Sequence, residues 1–170
     1  MAQFESAVLP HLDAAYTLAR YLVRNEQDAE DIVQDAFLRA LKYFDGFRAN
    51  EETSARAWLL AIVRNTAYSW RRKHRDDALG TEFDETQHSD TVAHDHPEER
   101  LLRTSAKESL GRALEELAPE FREVIVLREL QGLSYKEISQ VAGVPVGTVM
   151  SRLSRARVRL QEVLRDEEGR

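Results

Sequence analysis

The chain has 170 residues, 42% hydrophobic and 32% charged, with only seven Gly and four Pro, a composition typical of a soluble, helix-rich protein. The absence of cysteine excludes disulfides, thiolate zinc sites and cysteine nucleophiles. The chain starts without a basic segment or a long apolar core, and no run approaches the roughly 20 apolar residues that cross a bilayer. We therefore expect a cytoplasmic protein without a signal peptide or direct membrane insertion.

The net charge of −6 is unevenly distributed along the chain. Residues 76–99 contain nine acidic residues and no Lys or Arg, so the rest of the chain carries a net charge of +3. Basic clusters lie on both sides of this stretch, at 64–75 and at 152–165. Two basic patches joined by an acidic connector favour nucleic-acid binding, although a solvated surface would explain the charge pattern equally well.

Apolar residues at helical spacing predict three helices in the first part of the chain. The first covers 12–23 and the second 32–44. After a polar loop, Thr53 or Ser54 can cap the third helix, which runs into the basic string RRKHR.

Residues 76–97 are too polar to bury enough surface to offset the entropy of ordering, so we predict a flexible acidic linker there. Pro97 and Pro119 suit the first turns of helices in the second half. The predicted fold class is all-α: two small helical domains, residues 1–75 and 98–170, joined by this linker.

The region 133–160 predicts a helix-turn-helix. Ser134 and Glu137 form a capping box at the start of one helix, and Gly143 supplies the left-handed backbone that ends it. Pro145 is expected in the first turn of a second helix. In such a motif the second helix enters the major groove of DNA.

The second helix divides into two faces by spacing. The buried stripe is predicted to contain Val149, Leu153, Ala156 and Leu160. The outward face is predicted to contain Thr148, Ser151, Arg152, Arg155 and Arg159. Arginine can donate two hydrogen bonds to a guanine edge, and hydroxyl groups reach bases or phosphates. An ordinary amphipathic hairpin has the same pattern, so the motif alone leaves that alternative open.

Both halves resemble one family. The segment LAPEFREVIVLRELQGLSYKEISQVAGVPVGTVMSRLSRAR resembles the C-terminal domain of the extracytoplasmic-function (ECF) sigma factors of the sigma-70 family. The segments DAEDIVQDAFLRALKYFDGF and ARAWLLAIVRNTAYSWRRK resemble their N-terminal domain. The resemblance covers nearly the whole chain except the linker, in the order that the family has.

The resemblance implies a sigma-2-like bundle and a sigma-4-like helix-turn-helix domain, without a cofactor or enzymatic activity. It implies binding to core RNA polymerase, at the β′ clamp helices and the β flap, and to promoter DNA. Such a subunit starts transcription of a stress or envelope-response regulon, and an anti-sigma factor commonly holds it inactive.

The resemblance also implies three sets of contact residues. The core polymerase surface contains Asp31, Gln34 and Asp35. The reader of the promoter −10 element contains Phe47, Trp58, Ile62, Asn65, Arg71, Arg72 and Lys73. Together with the outward face described above, the reader of the −35 element contains Thr148, Met150, Ser151, Arg152, Arg155 and Arg159. Amides and aromatic rings are the groups that recognise unpaired bases. Some members have Arg where Met150 stands, so the base preference at that position stays open.

Two alternatives compete with this interpretation. A metal-dependent enzyme would draw on His74, His88, His94 and His96, but the predicted linker offers no preorganised ligand shell, so we expect neither a metal site nor catalysis. An autonomous helix-turn-helix regulator would bind promoter DNA alone, whereas a sigma factor needs core polymerase. A pure protein-interaction bundle would leave both basic clusters unexplained.

Overall fold

The computed structural model describes residues 1–47, 53–78 and 97–169. Across these ranges the chain is helical, with short 3-10 and π-helical turns and no strand, which confirms the predicted all-α fold class. The predicted linker falls largely on residues 79–96, outside the described ranges, while 76–78 still belong to a helix.

Within residues 1–47 and 53–78 the N-terminal half contains four α-helices. They are α1 (Ala2–Val8), α2 (Leu12–Val23), α3 (Glu26–Tyr43) and α4 (Ala55–Ala78). Asn25 caps α3, its side chain accepting a hydrogen bond from Asp28 N–H at 3.0 Å. Ser54 Oγ accepts from Ala57 N–H at 3.0 Å, so Ser54 is a cap of α4, as predicted. The sequence analysis did not predict α1.

The C-terminal half contains four more α-helices in the described range 97–169. They are α5 (Pro97–Glu115), α6 (Pro119–Ile125), α7 (Tyr135–Ala142) and α8 (Val146–Glu168), with a π-helical turn (Val126–Leu130) after α6. Pro97 and Pro119 begin helices, as predicted. Pro145 is instead the N-cap of α8, with extended backbone at ψ 153°. The prediction was one residue off because the Pro145 carbonyl already accepts the first helical hydrogen bonds from Thr148 and Val149.

The two halves share one apolar core. Helices α2, α3 and α4 pack together, as do α6, α7 and α8, and α4 packs on α7 while α2 packs on α6. The largest wholly buried apolar side chains come from both halves: Leu18, Leu22, Ile32, Leu59, Leu60, Leu114, Leu127, Leu133, Ile138 and Leu153. Each such side chain contributes about 2 kcal/mol of transfer free energy, so burial across the contact holds the halves together.

Candidate nucleic-acid interface

Helices α7 and α8 form the predicted helix-turn-helix. Ser134 Oγ accepts from Glu137 N–H at 3.1 Å and the Glu137 carboxylate accepts from Ser134 N–H at 3.1 Å, which is the predicted capping box. Gly143 ends α7 in the left-handed region at φ 69°, also as predicted. Ser139 Oγ donates to the Val144 carbonyl at 2.5 Å and closes the turn. These bonds fix where α8 begins relative to α7.

Helix α8 buries one face and exposes the other, as its spacing predicts. Val149, Leu153 and Ala156 are buried where α8 packs on α6 and α7, whereas Leu160, predicted in the same stripe, is half-buried. The outward face carries the exposed side chains of Met150, Ser151, Arg155 and Arg159, with Thr148 half-buried beside them. The first turns of α8 therefore present hydroxyl, thioether and guanidinium groups to solvent.

The arginines of α8 differ in their surroundings. Arg155 is exposed and forms no ion pair with any residue that the structure describes. Arg157 donates to Glu129 at 2.8 Å, and Arg159 donates to Glu162 in its own helix at 3.4 Å. Arg152 is half-buried rather than pointing freely outward, and its charge acts on the buried carboxylate of Glu123. Arg155 is thus the arginine most available to a ligand of this face.

Two of the predicted −10 residues, Phe47 and Trp58, form an aromatic stack. The Phe47 and Trp58 rings lie 4.5 Å apart between centroids, 21° from parallel. Trp58, Ile62 and Asn65 are spaced at i, i+4 and i+7, so they lie along one face of α4. Ile62 is half-buried against the core, while Asn65 is exposed and its side-chain oxygen accepts from Arg64 Nη1 at 3.4 Å. Residues 48–52, which belong to the predicted loop before α4, lie outside the described residues.

The basic C-terminal part of α4 lies beside the acidic helix α3. Arg72 and Lys73 are exposed, and the Arg71 guanidinium lies 5.9 Å from the Tyr68 ring centre. A groove of about 260 Å³ between α3 and α4 is lined by Lys73 together with Asp31 and Asp35. The positive surface of α4 is therefore bounded by carboxylates.

Two of the predicted core polymerase residues, Asp31 and Gln34, border an apolar groove that sequence analysis missed, while Asp35 lines the smaller groove between α3 and α4. Asp31, Gln34 and Asp35 are exposed on α3. The groove of about 660 Å³ is lined by Leu9, Leu12, Asp13, Tyr16, Gln27, Glu30, Asp31, Val33, Gln34 and Phe37. Leu9 and Leu12 are 50% and 41% exposed. Leu9 belongs to the 3-10 turn (Leu9–His11) after the unpredicted α1, so the motif VLPHL was the signal that went unused.

Polar contacts also cross between the two halves. Glu137 of α7 accepts from Arg56 and from Ser54 Oγ, each at 3.2 Å. Glu123 of α6 accepts from Arg64 Nε at 2.5 Å and from the Tyr68 hydroxyl at 3.3 Å. Both glutamates therefore hold the C-terminal half against α4.

A second buried charge, Arg122, is satisfied by backbone carbonyls. It donates to the carbonyls of Leu114, Tyr21, Leu117 and Glu115 at 2.8, 2.8, 2.9 and 3.1 Å. Burial, with repulsion from Arg24 and Arg71, lowers the pKa of Arg122 to about 10, so it stays protonated at neutral pH. The charged pair Arg122-Glu123 inside the apolar run FREVIV was the only sequence signal that these two residues are buried between the halves.

Comparison with known proteins decides the family. The model of sigma-70 region 2 matches residues 7–76, and that of sigma-70 region 4 matches residues 107–160. The chain is 34% identical over 170 residues to the ECF RNA polymerase sigma factor SigW of Bacillus subtilis, covering 96% of this chain and 89% of that protein. The chain belongs to the ECF sigma factors of the sigma-70 family. It is also 33% identical over 167 residues to the ECF RNA polymerase sigma factor SigE of Mycolicibacterium smegmatis, with 96% of this chain and 62% of that protein covered.

This ECF sigma factor is also similar to solved structures. The sigma factor RpoE from Bartonella quintana, in complex with the anti-sigma factor NepR, is 31% identical with a TM-score of 0.75 over 97% of this chain and 98% of that chain. CnrH, in complex with the cytosolic domain of CnrY, is 29% identical with a TM-score of 0.65 over 96% and 88%.

Neither a membrane-spanning helix nor a metal-binding cluster is present in the described ranges of this ECF sigma factor. They contain no helix of the length and apolarity that a membrane span requires. They also contain no cluster of three or more His, Asp or Glu side chains placed to hold a metal ion. The histidines weighed as ligands, His88, His94 and His96, lie outside those ranges.

Proposed function

We propose that this ECF sigma factor binds core RNA polymerase, recognises the −10 and −35 promoter elements, and starts transcription of a stress or envelope-response regulon in the cytoplasm without catalysing a reaction itself. Residues 1–75 serve core polymerase and the −10 element, 76–97 connect the domains, and 98–170 serve the −35 element. The observation that carries the proposal is the exposed outward face of α8 in a fixed helix-turn-helix.

The −35 assignment rests on the chemistry of that face. The second helix of a helix-turn-helix places its N-terminal residues against base edges in the major groove. In α8 these residues include Met150, Ser151 and Arg155, all exposed. A guanidinium without an ion-pair partner in the described structure is available for bidentate hydrogen bonds to guanine, so Arg155 is the principal base contact.

The −10 assignment rests on the aromatic stack at the start of α4. Unpaired bases bind by stacking on aromatic rings and by hydrogen bonds to amides. Phe47 and Trp58 supply the rings, and the exposed Asn65 supplies an amide two turns further along the same face. Arg71, Arg72 and Lys73 continue along α4 and suit the phosphate backbone.

The acidic surface of α3 suits docking on core polymerase. A groove with apolar walls and carboxylates at its rim fits a helix that has an apolar stripe and basic flanks. Asp31 and Gln34 line this groove, Asp35 lies one helical turn beyond Asp31 on α3, and we assign this surface to the β′ clamp helices. The C-terminal half is assigned to the β flap by family resemblance.

The two halves of the chain are in contact, an arrangement that we call closed. The closed arrangement places the two readers at a shorter distance than a promoter requires. The −10 and −35 elements lie about 25 base pairs apart, roughly 85 Å at 3.4 Å per base pair. Arg56 of α4 lies 3.2 Å from Glu137 of α7. Helix α7, which Arg56 contacts, has eight residues, spans about 12 Å and ends just before the −35 reader. In this arrangement the −10 and −35 readers therefore lie much closer together than about 85 Å. The halves therefore separate when both elements are bound.

An anti-sigma factor is the partner proposed for the closed state. The two similar solved structures were determined as complexes, one of them with a protein named as an anti-sigma factor. A partner that binds the closed arrangement more tightly than the open one would keep the readers apart from a promoter, because a ligand shifts an equilibrium toward the state it prefers.

In vitro transcription with core polymerase on genomic DNA fragments, followed by 5′-end mapping, tests the proposal. We expect core-dependent transcripts with common −10 and −35 sequences upstream of their starts. A gel shift of the mapped promoters by the chain alone, at affinities typical of specific binding and without core-dependent transcripts, would identify an autonomous regulator instead.

A further inference from the structure

The first two turns of α8 carry an exposed apolar edge. Val146 is 40% exposed and Met150 is 53% exposed. They lie four residues apart, so at about 3.6 residues per turn they are neighbours on the helix surface. Neither side chain belongs to the core, which α8 meets through Val149 and Leu153. The fold therefore leaves these two side chains available to another molecule.

The side chains at the centre of the same face of α8 are small. Gly147, Ser151 and Ser154 are exposed and point outward between the apolar edge and the arginines. A Cβ at Gly147 would have no atom of the described residues within 4 Å, so packing among them does not require glycine there. Small side chains at the centre allow the helix to lie close to base edges, while Arg155 and Arg159 face the opposite edge.

The major groove offers one apolar group, the C5-methyl of thymine. We propose that Val146 and Met150 contact thymine methyl groups, so that this chain prefers T where the first two turns of α8 meet the −35 element. Methionine offers no hydrogen-bond donor and so cannot read the acceptors of guanine. The inference rests on the proposed −35 function and adds a specificity determinant to it.

The first experiment measures base preference. Polymerase reconstituted from core enzyme and this chain transcribes a pool of promoter fragments whose −35 region is randomised and whose remaining sequence comes from a mapped promoter. We expect T to be enriched at one or two adjacent positions. Met150→Ala should remove the enrichment at one of them, and Met150→Arg should replace T by G there.

The second experiment isolates the methyl group. Deoxyuridine replaces thymine at each enriched position of a single template, which removes only the methyl. We expect a loss of about four-fold in initiation by the wild-type chain, the factor for one methyl-sized apolar group, and no loss by Met150→Ala.

Val158→Ala is the matched control. Val158 is 56% exposed on the same helix and lies eight residues beyond Met150, about 12 Å along the axis. The Val158→Ala variant should leave both the selected −35 sequence and the effect of deoxyuridine on initiation unchanged. Circular dichroism melts check that each variant folds; Val146→Ala serves in the same assays if a Met150 variant does not.

The outcomes separate the two proposals. Absence of core-dependent transcription by the wild-type chain contradicts the proposed function. Core-dependent transcription with no T preference, or with equal deoxyuridine effects in the wild type and Met150→Ala, overturns the methyl contact alone. Weaker binding of Met150→Ala to core polymerase with an unchanged T preference would overturn it too, by assigning the apolar edge to a protein surface.

Discussion

Arg64 Nε in α4 donates to Glu123 Oε1 in α6 at 2.5 Å, and this ion pair joins the two halves of the chain. The Glu123 side chain is 0% exposed and that of Arg64 is 20% exposed. Burial raises the pKa of Glu123, and the hydrogen bonds and charge of Arg64 with the bond from Tyr68 offset part of that rise. Because the carboxylate is wholly buried, removal of either Arg64 or Glu123 should destabilise the folded state.

Removing both partners of this pair should lower the free energy of unfolding by less than the sum of the two single losses. Arg64→Met should lower the free energy of unfolding by about 3 kcal/mol, because it leaves a buried carboxylate without its counter-ion. Glu123→Leu should also be destabilising, and the double variant should lose less than the sum of the singles. Urea denaturation measures all three. Arg39→Met, at an exposed ion pair with Asp35, should change stability by less than about 0.5 kcal/mol. Additive losses would contradict the coupling.

Arg122→Lys should be strongly destabilising although the charge is kept. The guanidinium donates to four carbonyls, and a lysine ammonium cannot reproduce this planar arrangement. We expect a loss of about 3 kcal/mol in thermal or urea unfolding. Arg39→Lys on the exposed face of α3 is the control and should be near neutral. Equal stability of the two variants would show that the carbonyl contacts contribute nothing.

Arg155→Ala should lower −35-dependent transcription by about 5- to 150-fold, because one bidentate arginine–guanine contact contributes about 1–3 kcal/mol. Binding to core polymerase, measured by fluorescence anisotropy, should be unchanged. Arg165→Ala, at an exposed arginine near the end of the same helix, is the control and should retain activity. Full activity of Arg155→Ala would refute its assignment as the principal base contact.

Gly147→Ala should separate stability from DNA recognition. A Cβ there meets no protein atom, and alanine favours helix over glycine, so the free energy of unfolding should rise by up to about 1 kcal/mol. Initiation from −35-dependent promoters should fall, because the added methyl group lies on the face proposed to approach DNA. Gly111→Ala in α5, where a Cβ also meets no atom, should be stabilising without any effect on initiation. Unchanged initiation by Gly147→Ala would argue against close approach.

Acidification should remove the contribution that the Glu137 carboxylate makes to the free energy of unfolding. Burial would raise the pKa of this carboxyl, but hydrogen bonds from Ser134 N–H and from Arg56 outweigh burial and hold it below its usual value of 4.5. A carboxyl with a lowered pKa stabilises the folded state above its unfolded pKa, and this contribution is lost as pH falls through the folded pKa. The difference in unfolding free energy between wild type and Glu137→Gln should therefore be constant above about pH 5.5 and shrink below pH 4.5. A difference that does not vary with pH would show that the charge of Glu137 plays no part.

Local sequence was sufficient for the elements that depend on neighbours along the chain. The helix-turn-helix could be predicted because the capping box, the left-handed glycine and the burial stripe of Val149, Leu153 and Ala156 each involve residues within about two helical turns. The error at Pro145 was of the same local kind, since the φ of proline suits both an N-cap and a first helical turn.

The position of Arg152 could not be predicted in this way. Helical spacing places it on the outward side of α8, but how far it is buried depends on α6, whose buried Glu123 its charge reaches. The groove beside Leu12 was missed for a similar reason, since its walls come from α2, α3 and the turn before α2. The spacing of apolar residues within one helix does not predict where another helix packs.

The sequence by itself determined the all-α class, the helix-turn-helix and the family resemblance, because these depend on periodicity, caps and residue order. Only the tertiary structure decided that the two halves close on each other through Arg64–Glu123, Arg56–Glu137 and the bond from Arg122 to the Tyr21 carbonyl. Those partners lie between 59 and 101 residues apart in the chain, and contacts at such separations follow from the packing of whole helices, which no local pattern encodes.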